Sequence, residues 1–181
     1  MNNTVKMILV LTIIGVISGA ILAFVYLIAN PMIEGNRQEA LKVAITELLP
    51  ATKQFKEIDT NIYEASDKNK QNCGYALSLK GGGYQGNIRL MLGISPDLHM
   101  FTGIVILESS ETPGLGARID SKEFRDQFKG LLVRSPISYV KNAAPDQSKN
   151  EIQAIAGATI SSRSVVKIIN DGVKAWLTNK K

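Results

Sequence analysis

The chain has 181 residues, enough for one domain with a real core and too few for two ordinary ones, and its 45% hydrophobic and 20% charged content excludes wholesale disorder. The net charge of +5 is spread thinly, with no dense Arg/Lys tract and no interleaved aromatics, so nucleic-acid binding is not expected and the basicity suits proximity to anionic membrane lipid. A single cysteine, Cys73, and a single histidine, His99, exclude an internal disulfide and a cysteine cluster for zinc or iron–sulfur ligation by this chain, and no metal site is expected.

Met7 to Ala29 carries no charge and exceeds the roughly 20 apolar residues needed to cross a bilayer. A cleaved signal peptide is the rival reading, but its apolar core would be only about 7–15 residues, and here the run continues through Phe24, Val25, Tyr26 and Leu27. A retained anchor is expected. Lys6 on one side and Arg37 and Lys42 on the other leave the orientation undecided by charge. Asn30-Pro31 should break this helix or mark its interfacial end, and a second helix, with Ile33, Leu41, Ile45 and Leu48 at helical spacing, should run from Pro31 to Pro50.

Further along, a weak strand is expected at 61–65, then strands at 74–80, 84–94 and 100–107, with Gly81-Gly82-Gly83 and Ser95-Pro96-Asp97 as turns. Together these read as an antiparallel meander. A loop from Glu108 to Ala117 should lead to a short helix containing Phe124, Phe128 and Leu131, followed by weak strands near 138–141 and 151–155. A last helix over about 161–177 places Val165, Ile169, Val173 and Trp176 on one face. The fold class is therefore α+β: a membrane anchor over 1–30, a connecting helix over 31–50 and a domain over 51–181, with an antiparallel sheet flanked by helices.

Two short stretches carry the chemistry. In Ala156-Gly157-Ala158-Thr159-Ile160-Ser161-Ser162, Gly157 lets the backbone approach a ligand, and Ala158 keeps bulk away from the Thr159 hydroxyl. Ser161 or Ser162 would cap the following helix, whose N–H groups favour an anion such as a phosphate. The same pattern also serves as an ordinary helix cap. In Glu111-Thr112-Pro113-Gly114-Leu115-Gly116, Pro113-Gly114 suits a tight turn that offers Leu115 at a loop tip, where a flat ring could lie.

The first stretch resembles the flavinylation motif Ser/Thr-Gly-Ala-Thr-x-Ser/Thr of the FMN-binding domain family. With the anchor, the loop Gly81 to Gly86 that carries Tyr84, and the Glu111 to Gly116 hexapeptide, nearly the whole chain resembles the G subunits of Rnf ion-translocating electron transport complexes. The C subunits of sodium-translocating NADH:quinone reductase are similar but usually longer. The resemblance implies FMN joined through its phosphate to Thr159, put there by a separate flavin transferase. It also implies partnership with other membrane and iron–sulfur subunits, and a single-pass inner-membrane protein whose domain lies on the extracytoplasmic side. Gly157, Ala158, Ser161, Glu111, Thr112, Gly114, Leu115 and Tyr84 are then the candidate cofactor-binding residues. No catalytic residue is expected, because the flavin supplies the redox chemistry. Two positions depart from the family motif, Gln153 where Asp is common and Ala156 where Ser or Thr is common, which bears on recognition by the transferase. The alternatives are an unflavinylated docking subunit and an anchored FMN protein of another extracytoplasmic electron chain.

Overall fold

An uncharged apolar run satisfies its backbone in lipid only as a helix, and the run from Met7 to Ala29 forms part of one. In the computed structural model, which describes residues 3–179, helix α1 extends over Asn3–Leu48. It is long and apolar enough to cross a membrane, and its apolar side chains stand exposed, Leu11 at 68% and Leu22 at 72%.

The break expected at Asn30-Pro31 does not occur, and Pro31 lies inside the helix. Proline removes one N–H donor and disfavours helix in the residue before it. Those effects are local, and good helix formers on both sides, from Leu27 and Ala29 to Met32 and Glu34, carry the helix through. The division into compact units falls between Ala40 and Leu41, so the last turns of α1 belong with the domain that follows.

That domain is built on five antiparallel strands in the order β1 (Gln54–Asp59), β2 (Ile62–Ser66), β3 (Asn72–Gly82), β4 (Asn87–Ile94) and β5 (Phe101–Ser109). The meander expected for β3 to β5 is present, with Leu77 opposite Leu92 and Leu92 opposite Ile104. Most strand ends differ from the expected ones by one or two residues, and the larger change is at the expected Gly81-Gly82-Gly83 turn: β3 continues through Gly82 and β4 begins at Asn87, so Tyr84 lies in a loop closed by a 2.6 Å bond from the Gly83 N–H to the Gly86 carbonyl. After β5, the turn Gly116–Asp120 leads to the short helix α2 (Lys122–Arg125), capped by Ser121. Of the residues expected in it, only Phe124 is there: Phe128 ends a separate 3-10 turn (Asp126–Phe128), and Leu131 lies further on. Strands β6 (Ser138–Val140) and β7 (Glu151–Gln153) pair in parallel, and α3 spans Thr159–Asn179.

Side chains alternate across the sheet, and each face has its own cover. Leu77, Leu90 and Leu92 face α3, where Val165, Ile169, Val173 and Trp176 are buried as their spacing required. Ala76 and Met91 face the other way, with Tyr63 and Ala65, and are covered by Ala44, Ile45, Leu48 and Leu49 at the end of α1. Half-buried Cys73 packs at the margin of this second core. At the first interface glycine permits close approach, for a Cβ on Gly81 would stand 2.5 Å from Cγ1 of Ile168.

Candidate functional site

Three segments distant in sequence supply the candidate residues: loop 83–86 between β3 and β4, loop 110–116 after β5, and the turn 155–158 that enters α3. The last is built by backbone bonds. The Ala158 N–H donates to the Ile155 carbonyl at 3.0 Å, Gly157 takes φ +81°, and the first intrahelical bond runs from the Ser162 N–H to the Ala158 carbonyl at 3.1 Å. Thr159 is therefore the first helical residue, and the N–H groups of Thr159, Ile160 and Ser161 precede any i−4 carbonyl of the helix.

Ser161 and Ser162 do not cap α3, because the helix starts before them. Both are buried inside its first turn, at 2% and 0% exposure. Ser162 Oγ accepts from the Ile155 N–H and donates to the Ala158 carbonyl, while the Ser161 hydroxyl donates to Oε2 of Glu111. Of the three hydroxyl residues in the motif, Thr159 alone is not fully buried.

Loop 110–116 closes through bonds from the Leu115 and Ala117 N–H groups to the Thr112 carbonyl, at 3.2 and 3.1 Å, with Gly114 at φ +75°. This is the turn expected of Pro113-Gly114. Leu115 is half exposed at its tip, and a Cβ on Gly157 would meet its Cδ2 at 3.5 Å. The structure thus brings the loop-tip leucine against the turn that carries Thr159. The Thr112 hydroxyl donates to the Gln85 side-chain carbonyl at 2.7 Å, so it joins the two loops.

Glu111 is buried, at 5% exposure. Its Oε1 accepts from the Tyr84 and Gln85 N–H groups at 2.8 and 3.1 Å. Burial pushes its carboxyl upward, but the Ser161 hydroxyl and the N–H groups of Gln85, Tyr84 and Gly86 together hold it below the usual carboxylate range. Tyr84 itself is exposed beside this network, at 66%. Ile160, next to Thr159, is 45% exposed, and its only sequence signal is an isoleucine outside the apolar face of an amphipathic helix. Gln85, whose N–H meets Glu111 and whose side chain meets Thr112, has no local sequence signal for either contact. Gln153 and Ala156 are both exposed, and the Gln153 backbone is held by the Gln127 side chain at 2.6 and 3.3 Å.

These residues suit a ligand with a phosphate and a flat ring. There is a half-buried threonine at a helix N-terminus, an exposed glycine two residues before it, and exposed side chains with apolar surface at 84, 115 and 160.

The FMN-binding domain family matches residues 83–174, a span that contains all three segments. The G subunit of the ion-translocating oxidoreductase complex of Methanosarcina acetivorans is 34% identical, over 93% of this chain and 92% of its own length. This chain belongs to the G-subunit family of Rnf ion-translocating oxidoreductase complexes. A second family member, the G subunit of the Na(+)-translocating ferredoxin:NAD(+) oxidoreductase complex of Acetobacterium woodii, is 31% identical over 94% of this chain and 90% of its own length. The crystal structure of NqrC from Shewanella oneidensis has the same fold, with a TM-score of 0.59 at 17% identity, over 72% of this chain and 71% of that one. G subunits are components of redox-driven ion translocases, and this one carries the family's FMN-binding domain behind a helix of membrane-spanning length.

Proposed function

We propose that this protein holds FMN as a phosphoester on Thr159 and relays electrons within an ion-translocating membrane complex. The observation that carries the reading is Thr159 as the first residue of α3, half-buried, with Gly157 at φ +81° before it and Leu115 against the turn. The N-terminal N–H groups of α3 would offset the phosphate charge, and Leu115, Tyr84 and Ile160 would border the ring. The flavin would supply reversible electron acceptance. The protein's own part is to fix the ring and limit its contact with water, and no side chain needs to move a proton.

The domain from Leu41 onward is proposed to lie on the extracytoplasmic side of a single-pass protein. Attachment is proposed to be the work of a flavin transferase on that side, with membrane and iron–sulfur subunits as electron partners. Support comes from the family match and the span length.

The test is the intact mass of the chain made together with a flavin transferase, which should rise by one FMN less water and give a fluorescent band on a denaturing gel. Thr159→Ala should abolish both. Full modification of that variant would overturn the assignment, and an unmodified wild-type chain would favour the docking-subunit reading. Protease added to intact spheroplasts should digest the domain, and protection until lysis would overturn the proposed side.

A further inference from the structure

Glu111 lies among the candidate cofactor contacts, yet its carboxylate is buried and both of its oxygens already accept from the protein's own donors. It is 5% exposed, and its two oxygens are taken by segments 26, 27 and 50 positions away in sequence. Among the described residues no lysine or arginine pairs with it, so neutral donors alone stabilise the charge. Two N–H groups converge on one oxygen and a hydroxyl on the other, an arrangement in which a carboxylate accepts at both ends.

The surrounding glycines answer to the same group. A Cβ on Gly83 would overlap Oε1, and one on Gly116 would stand 2.6 Å from Oε2 and 2.7 Å from Ser161 Oγ. A Cβ on Gly86 would meet Ser110 Cβ at 2.6 Å, and the Thr112 to Gln85 bond closes the outer side of the same junction. Gly83, Gly86 and Gly116, from two separate sequence stretches, are thus accounted for by one buried carboxylate and the close approach of two loops around it.

We infer that Glu111 is the positioning residue of the flavin site: its carboxylate fastens loop 83–86 and the first turn of α3 to loop 110–116, and so sets where Tyr84 and Leu115 stand relative to Thr159. The inference rests on the reading of Thr159 as the attachment point. Glu111 acts through these neighbours and does not touch the ring. Glutamine at this position would preserve the junction, because its carbonyl can accept from Tyr84 and Gln85 while its amide donates to a reoriented Ser161 hydroxyl.

The experiment uses the full chain, made with and without a flavin transferase, as wild type, Glu111→Ala, Glu111→Gln and Ser161→Ala. In the flavin-free protein, hydrogen exchange at the Tyr84 and Gln85 amides should quicken by about tenfold or more in Glu111→Ala, while amides in the centre of β4 hold their rates. In the flavin-carrying protein, Glu111→Ala should lose visible circular dichroism and fluorescence anisotropy of the ring, and Glu111→Gln should restore both. If Glu111→Ala leaves the flavin signals at wild-type values, the positioning role is wrong, whatever happens to the amides. If Glu111→Ala fails to fold, Ser161→Ala severs only the arm to α3, and unchanged flavin signals in that variant overturn the inference equally. A wild-type chain that takes no flavin defeats the attachment reading, while the exchange rates still decide whether the carboxylate fastens the loops.

Discussion

Ser162 accepts a hydrogen bond from the Ile155 N–H at 3.0 Å, so the turn that presents Thr159 is tied across its own base by a fully buried hydroxyl. The same hydroxyl donates its proton to the Ala158 carbonyl at 3.1 Å. Replacing Ser162 by alanine leaves the Ile155 N–H without its acceptor, and such a loss costs about 1–3 kcal/mol. The denaturant midpoint of Ser162→Ala should fall with the slope unchanged. A variant as stable as wild type would show that the tie contributes nothing.

Gly81 and Gly82 are neighbours at the end of β3 with opposite surroundings. A Cβ at 81 would press on Cγ1 of Ile168, whose β-branched side chain has little freedom to move, whereas a Cβ at 82 meets nothing within 4 Å. Gly81→Ala should therefore destabilise by about 1–3 kcal/mol through overpacking, while Gly82→Ala should be neutral or slightly stabilising. Thermal melts of the pair decide it. Equal effects would mean that α3 does not press on the sheet at Gly81.

Much of this fold could be read from the sequence because hydrophobic spacing reports burial. In α3 the apolar residues recur at helical spacing, and Leu90, Leu92 and Ile94 of β4 alternate toward the α3 core. β1 could not be read, since Gln54–Asp59 is an exposed strand at the sheet edge, held by backbone bonds that leave no apolar alternation. The passage of α1 through Pro31 is not legible in the sequence, because proline's bias against helix is local and does not by itself tell a stop from a helix that continues. At the site, Thr159, Gly157 and Leu115 could be singled out from local sequence, and their meeting is a tertiary fact. The bonds from Ser161 and Gln85 to Glu111 span 50 and 26 positions, a distance over which a single sequence carries no pairing signal. Asn150 is a similar case, a buried side chain at φ +60° that exchanges hydrogen bonds with Leu132 and donates to the Ser135 carbonyl.

Acid should weaken the fold partly through Glu111. Its folded-state carboxyl lies below the ordinary value of 4.5, so the stability it contributes is complete above that value and is lost as pH falls through 4.5 and then through the folded value. Exposed Asp97 and partly exposed Asp126 and Asp146, held low by bonds from Ser95, Lys129 and Ser148, act in the same direction. Glu111→Gln should flatten the acid limb of stability against pH while the three aspartates preserve a remainder. An unchanged limb would mean that the carboxylate is not preferentially ionised in the folded state.

Leu115→Ser should leave the phosphoester intact, since Thr159 is chemically separate, but should change the flavin's surroundings. An apolar neighbour withholds solvation from a charged, reduced ring, so the serine variant should show a raised midpoint potential and stronger solvent quenching. Redox titration of both proteins is the check. Identical potentials and spectra would assign the loop to packing or partner docking.

The dual character of α1 limits where the domain can be separated from its anchor. Ala44, Ile45, Leu48 and Leu49 wall off one face of the sheet, so a protease cut before Leu41 would release a domain with both faces covered. A cut at Pro50 would bare Tyr63, Ala65, Ala76 and Met91 as a continuous apolar face and would give an aggregating product. Any soluble, shed form of this protein must therefore keep about two turns of its own anchor helix as part of its core.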